Sequence, residues 1–222
     1  MNSVVATILS RRSVRTGFDR TTVPNEILEE IVRSGLSAPS SKNARPWRLH
    51  VVTDAAILAD LASSVEASED IESYVPFDPS TGQPRPEWKS TVLESADILR
   101  QVPAAVFIEN RGVFSGGKRT WLDAAPAAQT ASIVGYTFEI IGVGAAIQNM
   151  WIAATAHGLS GVFMGDVLIA EAAIVQRLGM VGDLVGVLAL GYATGDDLPG
   201  RPALSDASDA NVRWWARPEG GR

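Results

Sequence analysis

A long apolar segment near the middle of the chain constrains the fold more than any other feature. Residues 132–157 read SIVGYTFEIIGVGAAIQNMWIAATAH, and nearly every face of the helix that they predict is apolar. Such a helix either crosses a membrane or is completely buried, and Glu139 together with Gln148 and Asn149 favours burial. About 25 residues at 1.5 Å each give roughly 38 Å, too long for one small domain to enclose. We therefore expect a second copy of the chain to cover this helix, which predicts an obligate homodimer.

The composition excludes several classes of protein. The chain has 222 residues, no cysteine, two histidines and a formal net charge of −6. Disulfides and thiolate sites are therefore impossible, and we expect no metal site, no nucleic-acid binding and no membrane association. The N-terminal MNSVVATILSRR has too short an apolar run for a secretory signal. A cytoplasmic enzyme or binding protein of one domain is the expected class.

Hydrophobic periodicity and turn residues predict alternating helices and strands. Gly35 is expected to end the second helix, and Asp54 to cap the third. Two stretches, 74–86 and 111–120, are expected to be surface loops because of their prolines and glycines. The predicted helices are 4–9, 24–35, 54–65, 87–100, 132–157 and 169–178, and the predicted strands are 47–52, 104–109, 161–164 and 184–192, the last of them central in the sheet.

An arginine-rich run, RRSVR, occupies residues 11–15 of this acidic chain. Arg11 and Arg15 are four residues apart and can converge on one group. Arginine forks bind phosphate oxygens well, and Ser13 adds a hydroxyl donor. The alternative is that these arginines are solvated and only favour the helix dipole.

Three other stretches have the composition of ligand-binding loops. SAPSSKNARPW (37–47) carries the neutral donors Ser40, Ser41 and Asn43, although the same residues favour an ordinary turn. GLSGVFMGD (158–166) has glycines that permit close approach of a flat ligand. GYATGDDLPGRP (191–202) follows a buried strand and contains Arg201.

In this order, the four stretches resemble the FMN-dependent nitroreductase family. The resemblance covers most of the chain and is weakest at 66–125. It implies an α+β, three-layer fold with a central mixed β-sheet flanked by helices. It further implies one domain over 1–222, with a lid or excursion at about 66–125. The C-terminal arm, about 193–222, would embrace the partner of an intertwined homodimer.

The resemblance also assigns cofactor contacts to individual residues. Arg15 would stabilise the reduced flavin, Met164 and Gly165 would form the turn against its ring, and Arg201 would lie near its phosphate. Hydride passes through flavin N5 in such proteins, so no catalytic side chain is expected. The implied FMN-binding residues are Arg11, Arg12, Ser13, Arg15, Pro39, Ser40, Ser41, Asn43, Met164, Gly165 and Arg201, with 39–43 reaching the flavin of the other subunit.

The implied activity is ping-pong hydride transfer from NAD(P)H to a small aromatic acceptor such as a nitroaromatic or a quinone. Phe114, Trp121 and the aromatic residues within 74–77 are candidates for contact with that acceptor. Lys42 departs from the family pattern, so it either favours NADPH or an anionic acceptor, or is simply solvated. The alternatives are related flavin chemistry, namely reductive dehalogenation, flavin cleavage or azoline oxidation, and a non-catalytic FMN-binding protein.

Overall fold

The computed structural model describes residues 2–194, together with Arg213 and Trp215. Its centre is a four-stranded sheet in the order β1-β2-β4-β3, so β2 and β4 are the central strands. The strands are β1 (Trp47–Val52), β2 (Ala104–Asn110), β3 (Ser160–Met164) and β4 (Asp183–Gly191). The helices are α1 (Ser3–Ser10), α2 (Asn25–Leu36), α3 (Ala55–Glu66), α4 (Val92–Gln101), α5 (Gly117–Asp123), α6 (Pro126–Ala156) and α7 (Glu171–Leu178).

Helices cover both faces of the sheet, because the central strands are apolar on both. Along β2, Val106 and Ile108 belong to the core shared with α2 and α6, whereas Phe107 belongs to the core shared with α3, α4 and α7. Successive strand residues point to opposite faces, so one continuous apolar run fills two cores. This arrangement confirms the α+β fold in three layers.

The direction of the strands differs in part from the expectation. β1 pairs with β2, β2 with β4, and β4 with β3, all antiparallel. Within the described residues, the expected mixed character is confined to a single parallel bridge between Ser13 and Gly161. An apolar run is typical of a buried strand of either direction, so the residues themselves did not determine this property.

The apolar helix α6 begins six residues earlier than expected, at Pro126, and only part of its surface is buried within one chain. Glu139 and Met150 are fully buried, whereas Phe138 and Ile141 are 48% and 64% exposed. By length and composition alone, α6 could span a membrane, a test that core helices of soluble proteins also pass. One chain therefore does not bury α6 on every side. The core helix of a monomer would instead be buried on every side by its own chain.

Two local predictions were wrong for reasons of tertiary packing. The helix expected to end at Gly35 continues to Leu36, and Gly35 packs instead against α6, where an added Cβ would lie 2.6 Å from Met150 Cγ. The expected loop 111–120 contains the start of α5. There the backbone N–H of Lys118 donates to Asp183 Oδ2 over 2.7 Å, and its ammonium pairs with Glu171.

One further helix boundary differs from the prediction. The helix expected over 87–100 begins only at Val92. Arg201 and most of the C-terminal arm lie outside the described residues, the exceptions being residues 193 and 194, Arg213 and Trp215. At the start of the arm, Thr194 N–H donates to Gly17 O over 3.0 Å.

Candidate functional site

The arginine-rich run lies directly beside the first residues of β3. Helix α1 ends at Ser10, and the chain then extends so that Val14 N–H donates to Gly161 O over 3.0 Å. Val14 is buried and anchors the segment in the core. Its neighbours Ser13 and Arg15 are therefore directed away from the core by the alternation of an extended chain.

Two of the arginines have donors available to an anion, and one of these arginines is held in place by an aromatic contact. The guanidinium of Arg11 lies 4.3 Å from the ring centroid of Trp151, which is buried on α6, and this cation–π contact fixes its position. Arg12 Nε is buried and has no hydrogen-bond partner among the residues that the structure describes.

Arg12 also lines a cavity of about 210 Å³, together with Ser10 and residues 158–161. A buried N–H without an acceptor is costly in a folded protein, so a group supplying anionic oxygens would satisfy it. Glycines in the wall permit close approach. The residues present therefore fit a phosphate group.

The turn after β3 forms one wall of a second cleft. Met164 is the last residue of β3 and is buried, and Gly165 leads into the short 3-10 helix Asp166–Ala170. Residues 74–77 close a cleft of about 410 Å³ against Gly165 and Asp166. Burial raises the pKa of Tyr74, and the negative charges of Asp166 and Glu171 raise it further. The Tyr74 phenol is therefore a neutral donor beside this turn.

The first turn of α4 contacts both the arginine-rich run and the turn after β3. The Thr91 hydroxyl, at the N-cap of α4, donates to Asp166. Glu94 Oε1 lies 4.0 Å from Arg15 Nε. Arg15 and the turn after β3 thus both lie beside the N-terminal end of α4. The predicted flavin site, which includes both, requires them to be close together.

Sequence reasoning gave no role to Thr91, Glu94 or Asp166. Their separation along the chain leaves no local pattern. A correct start for α4 would have identified Thr91 as its N-cap, but nothing in the sequence joins that helix to Asp166.

Residues 39–45 form a tight segment against α6. Ser40 Oγ accepts from Arg45 N–H over 3.0 Å, and Ser40 packs near Gly142. Lys42, Asn43 and Arg45 have left-handed φ values of 49°, 54° and 46°. Non-glycine residues in this region often mark functional sites.

No hydrogen bond or salt bridge among the described residues joins this segment to 11–15 or to the turn after β3. Arg11 contacts α6 at Trp151, whereas Ser40 contacts it at Gly142, about 14 Å away along the helix axis at 1.5 Å per residue. Within one chain, the predicted FMN-binding residues therefore form two separate groups. The sequence prediction assigned the two groups to different subunits.

Phe114 precedes α5 and Trp121 lies on α5, and both contact the N-terminal half of α6. Phe114 N–H donates to Glu139 Oε1, and the Trp121 ring stacks on Tyr136 with centroids 6.4 Å apart. Burial, followed by nearby carboxylates, raises the pKa of Tyr136 to about 12. Their contact with an acceptor remains a prediction.

The family model described as the nitroreductase family matches residues 8–192. The chain belongs to this family. The match includes the arginine-rich run, the segment 39–45 and the turn after β3, which are the regions whose geometry is described above. The resemblance inferred from the sequence motifs is thereby confirmed.

Two curated proteins and one solved structure show how similar this nitroreductase family member is to known proteins. It is 39% identical over 64 residues to an iodotyrosine deiodinase of Haliscomenobacter hydrossis, covering 29% of this chain and 28% of that protein. It is 46% identical over 48 residues to an NADH dehydrogenase of Thermus thermophilus, covering 22% and 23%. The NADPH:FMN oxidoreductase from Vibrio harveyi, complexed with NAD⁺, superimposes with a TM-score of 0.66 at 18% identity, covering 99% of this chain and 80% of that one.

The sequence alignments and the structural match cover different fractions of the proteins compared. The alignments with the two curated relatives span only about a quarter of each relative's length. The structural similarity extends over nearly the whole chain, but at this identity it shows the fold alone.

Proposed function

We propose that this protein is an FMN-dependent oxidoreductase that takes hydride from NAD(P)H and reduces a small aromatic acceptor, such as a nitroaromatic or a quinone. The observation that carries the proposal is the buried Nε of Arg12, which has no hydrogen-bond partner in the part of the chain that the structure describes and lies in the wall of a glycine-containing cavity beside β3. A cofactor phosphate would supply the acceptor that this donor needs, in a chain of the nitroreductase family. FMN, when bound, supplies the hydride chemistry that no side chain here can provide.

The chain's own residues have binding and electrostatic roles. Arg11, Arg12 and Ser13 hold the phosphate, with Arg201 as a further contact. Arg15 places a cation where negative charge develops on reduction. Backbone N–H groups at Met164 and Gly165 are the donors to the ring.

A homodimer completes this arrangement. Pro39, Ser40, Ser41 and Asn43 are separate from the arginines within one chain, so they would serve the site of the other copy. The exposed apolar side chains of α6, among them Phe138 and Ile141, supply a surface that a second copy would cover. Light scattering of the purified protein should give twice the mass of one chain.

Anaerobic titration of the FMN-loaded protein with NADPH and with NADH tests the proposal. We expect loss of the flavin absorbance with at least one nicotinamide, and its return when a nitroaromatic or quinone is added. Arg12→Gln should weaken FMN binding, whereas the matched variant Arg119→Gln should not, since the Arg119 side chain is 95% exposed. A chain that binds no FMN, or binds it without being bleached, would disprove the proposed activity.

Reductive dehalogenation is the second candidate. The local identity of 39% to an iodotyrosine deiodinase favours it over the other chemistries of this fold. A halogenated phenol in the acceptor panel separates the two activities, because halide release accompanies only dehalogenation.

A further inference from the structure

A carboxylate lies next to the cation assigned to the flavin ring. Glu94 Oε1 is 4.0 Å from Arg15 Nε, and the two side chains are 41% and 49% exposed. Glu94 sits in the first turn of α4, three residues after Thr91, whose hydroxyl donates to Asp166. That contact fixes the end of α4 against the turn after β3, and with it the position of the carboxylate.

The ion pair has little value for folding. Exposed pairs at this distance contribute almost nothing to stability, because water screens them and the side chains lose entropy. The effect of Glu94 on the net charge around Arg15 remains. Arg15 alone presents a full positive charge to a neighbouring group, whereas Arg15 with Glu94 presents a nearly neutral pair.

We propose that Glu94 lowers the reduction potential of the bound flavin by offsetting the positive charge of Arg15. This inference rests on the proposed function. Hydride transfer from NAD(P)H adds two electrons and one proton to the cofactor, and thus one negative charge. Arg15 favours the charged product, and Glu94 opposes it. The flavin is therefore a stronger reductant toward its acceptor than Arg15 alone would allow.

The test is the midpoint potential of the FMN-loaded protein, measured anaerobically against a reference dye. Glu94→Gln should shift the ratio of reduced to oxidised flavin at a fixed dye potential about threefold toward reduced, since water screens the carboxylate; this equals about +14 mV for two electrons. The matched control is Asp97→Asn on the same helix. Its carboxylate lies 3.9 Å from Arg100 and is 69% exposed, so its removal should leave the potential unchanged.

Glu94→Ala provides a second variant with the same expected direction. The proposal is overturned if neither variant raises the potential, or if Asp97→Asn raises it equally. Loss of FMN binding in both Glu94 variants would also overturn it, because removal of a negative charge should not weaken binding of an anionic cofactor. If the unaltered protein binds no FMN, the proposed function itself fails. If it binds FMN and the potentials do not move, only the role of Glu94 fails.

Discussion

Replacement of Glu139 measures how strongly a buried carboxylate on α6 holds the segment that follows β2. The side chain is fully buried. Its Oε1 accepts the backbone N–H groups of Phe114 and Ser115, and its Oε2 accepts Asn110 Nδ2 and Ser115 Oγ, over distances of 2.5 to 2.9 Å. No cation pairs with it among the residues that the structure describes, so hydrogen bonds alone compensate for its burial.

The expected loss follows from this set of bonds. Glu139→Gln retains an oxygen for the two backbone donors but places an amide against Asn110 and Ser115 as a competing donor. Since hydrogen bonds to charged groups contribute about 1.5–3 kcal/mol each, we expect a loss of about 2–3 kcal/mol in the free energy of unfolding. Glu139→Ala also leaves donors unsatisfied and a cavity, and should cost about 4–5 kcal/mol.

The pH dependence separates this mechanism from a simple packing defect. Burial raises the pKa of Glu139, but its hydrogen bonds outweigh burial and hold the pKa below its ordinary value of 4.5. A lowered folded-state pKa contributes stability that is present above the unfolded pKa and is lost as pH falls through the folded value. The stability gap between the unaltered protein and Glu139→Gln should therefore be constant from pH 6 to 8 and narrow below about pH 4.5.

The assay is urea unfolding across this pH range, with Glu87→Gln, an exposed carboxylate, as the control that should match the unaltered protein. A gap that persists undiminished to pH 3 would show that the ionised carboxylate is not what stabilises the segment.

Three further predictions use contacts outside this network. Trp151→Leu removes the cation–π contact of Arg11, an arginine that we propose binds the FMN phosphate, and should weaken FMN binding about fivefold. Flavin fluorescence quenching measures this, and an equal loss of riboflavin affinity would contradict it. Gly35→Ala should cost about 1–3 kcal/mol of unfolding free energy because its Cβ meets Met150 at 2.6 Å. The control Gly144→Ala meets nothing within 4 Å and should not destabilise. Lys42→Ala should raise KM for NADPH and not for NADH, and unchanged constants for both would end that hypothesis.

The fold was predictable where a local pattern decides the structure. β1 occupies residues 47–52 as predicted, and Asp54 caps α3 by accepting the N–H groups of Ala56 and Ile57. Gly35 was misassigned because a glycine near a helix end predicts termination. Here the glycine is needed because a side chain at position 35 would collide with Met150. This contact between distant parts of the chain is not visible in the local sequence.

Some residues of the candidate site were likewise predictable from the local sequence, and others were not. The arginine-rich run was identifiable because a dense group of cations is unusual in an acidic chain. Glu94 was not, because it is an ordinary surface acid until α4 brings it beside Arg15. Asp166 was not, because only the fold brings the Thr91 hydroxyl to its carboxylate. The charges around the proposed cofactor site are thus less visible in the sequence than the arginines that we propose bind its phosphate.

The proposed homodimer would explain two features that one chain leaves incomplete. The exposed part of α6 carries large apolar side chains such as Phe138 and Ile141, which favour removal from water. Farther along the same helix, Gly142 contacts Ser40, in the segment whose left-handed residues follow at 42, 43 and 45. Backbone strain persists only where surrounding structure imposes it. A second copy packed on α6 would cover the apolar surface and press directly on this segment, so dimerisation and completion of the cofactor site would be one event.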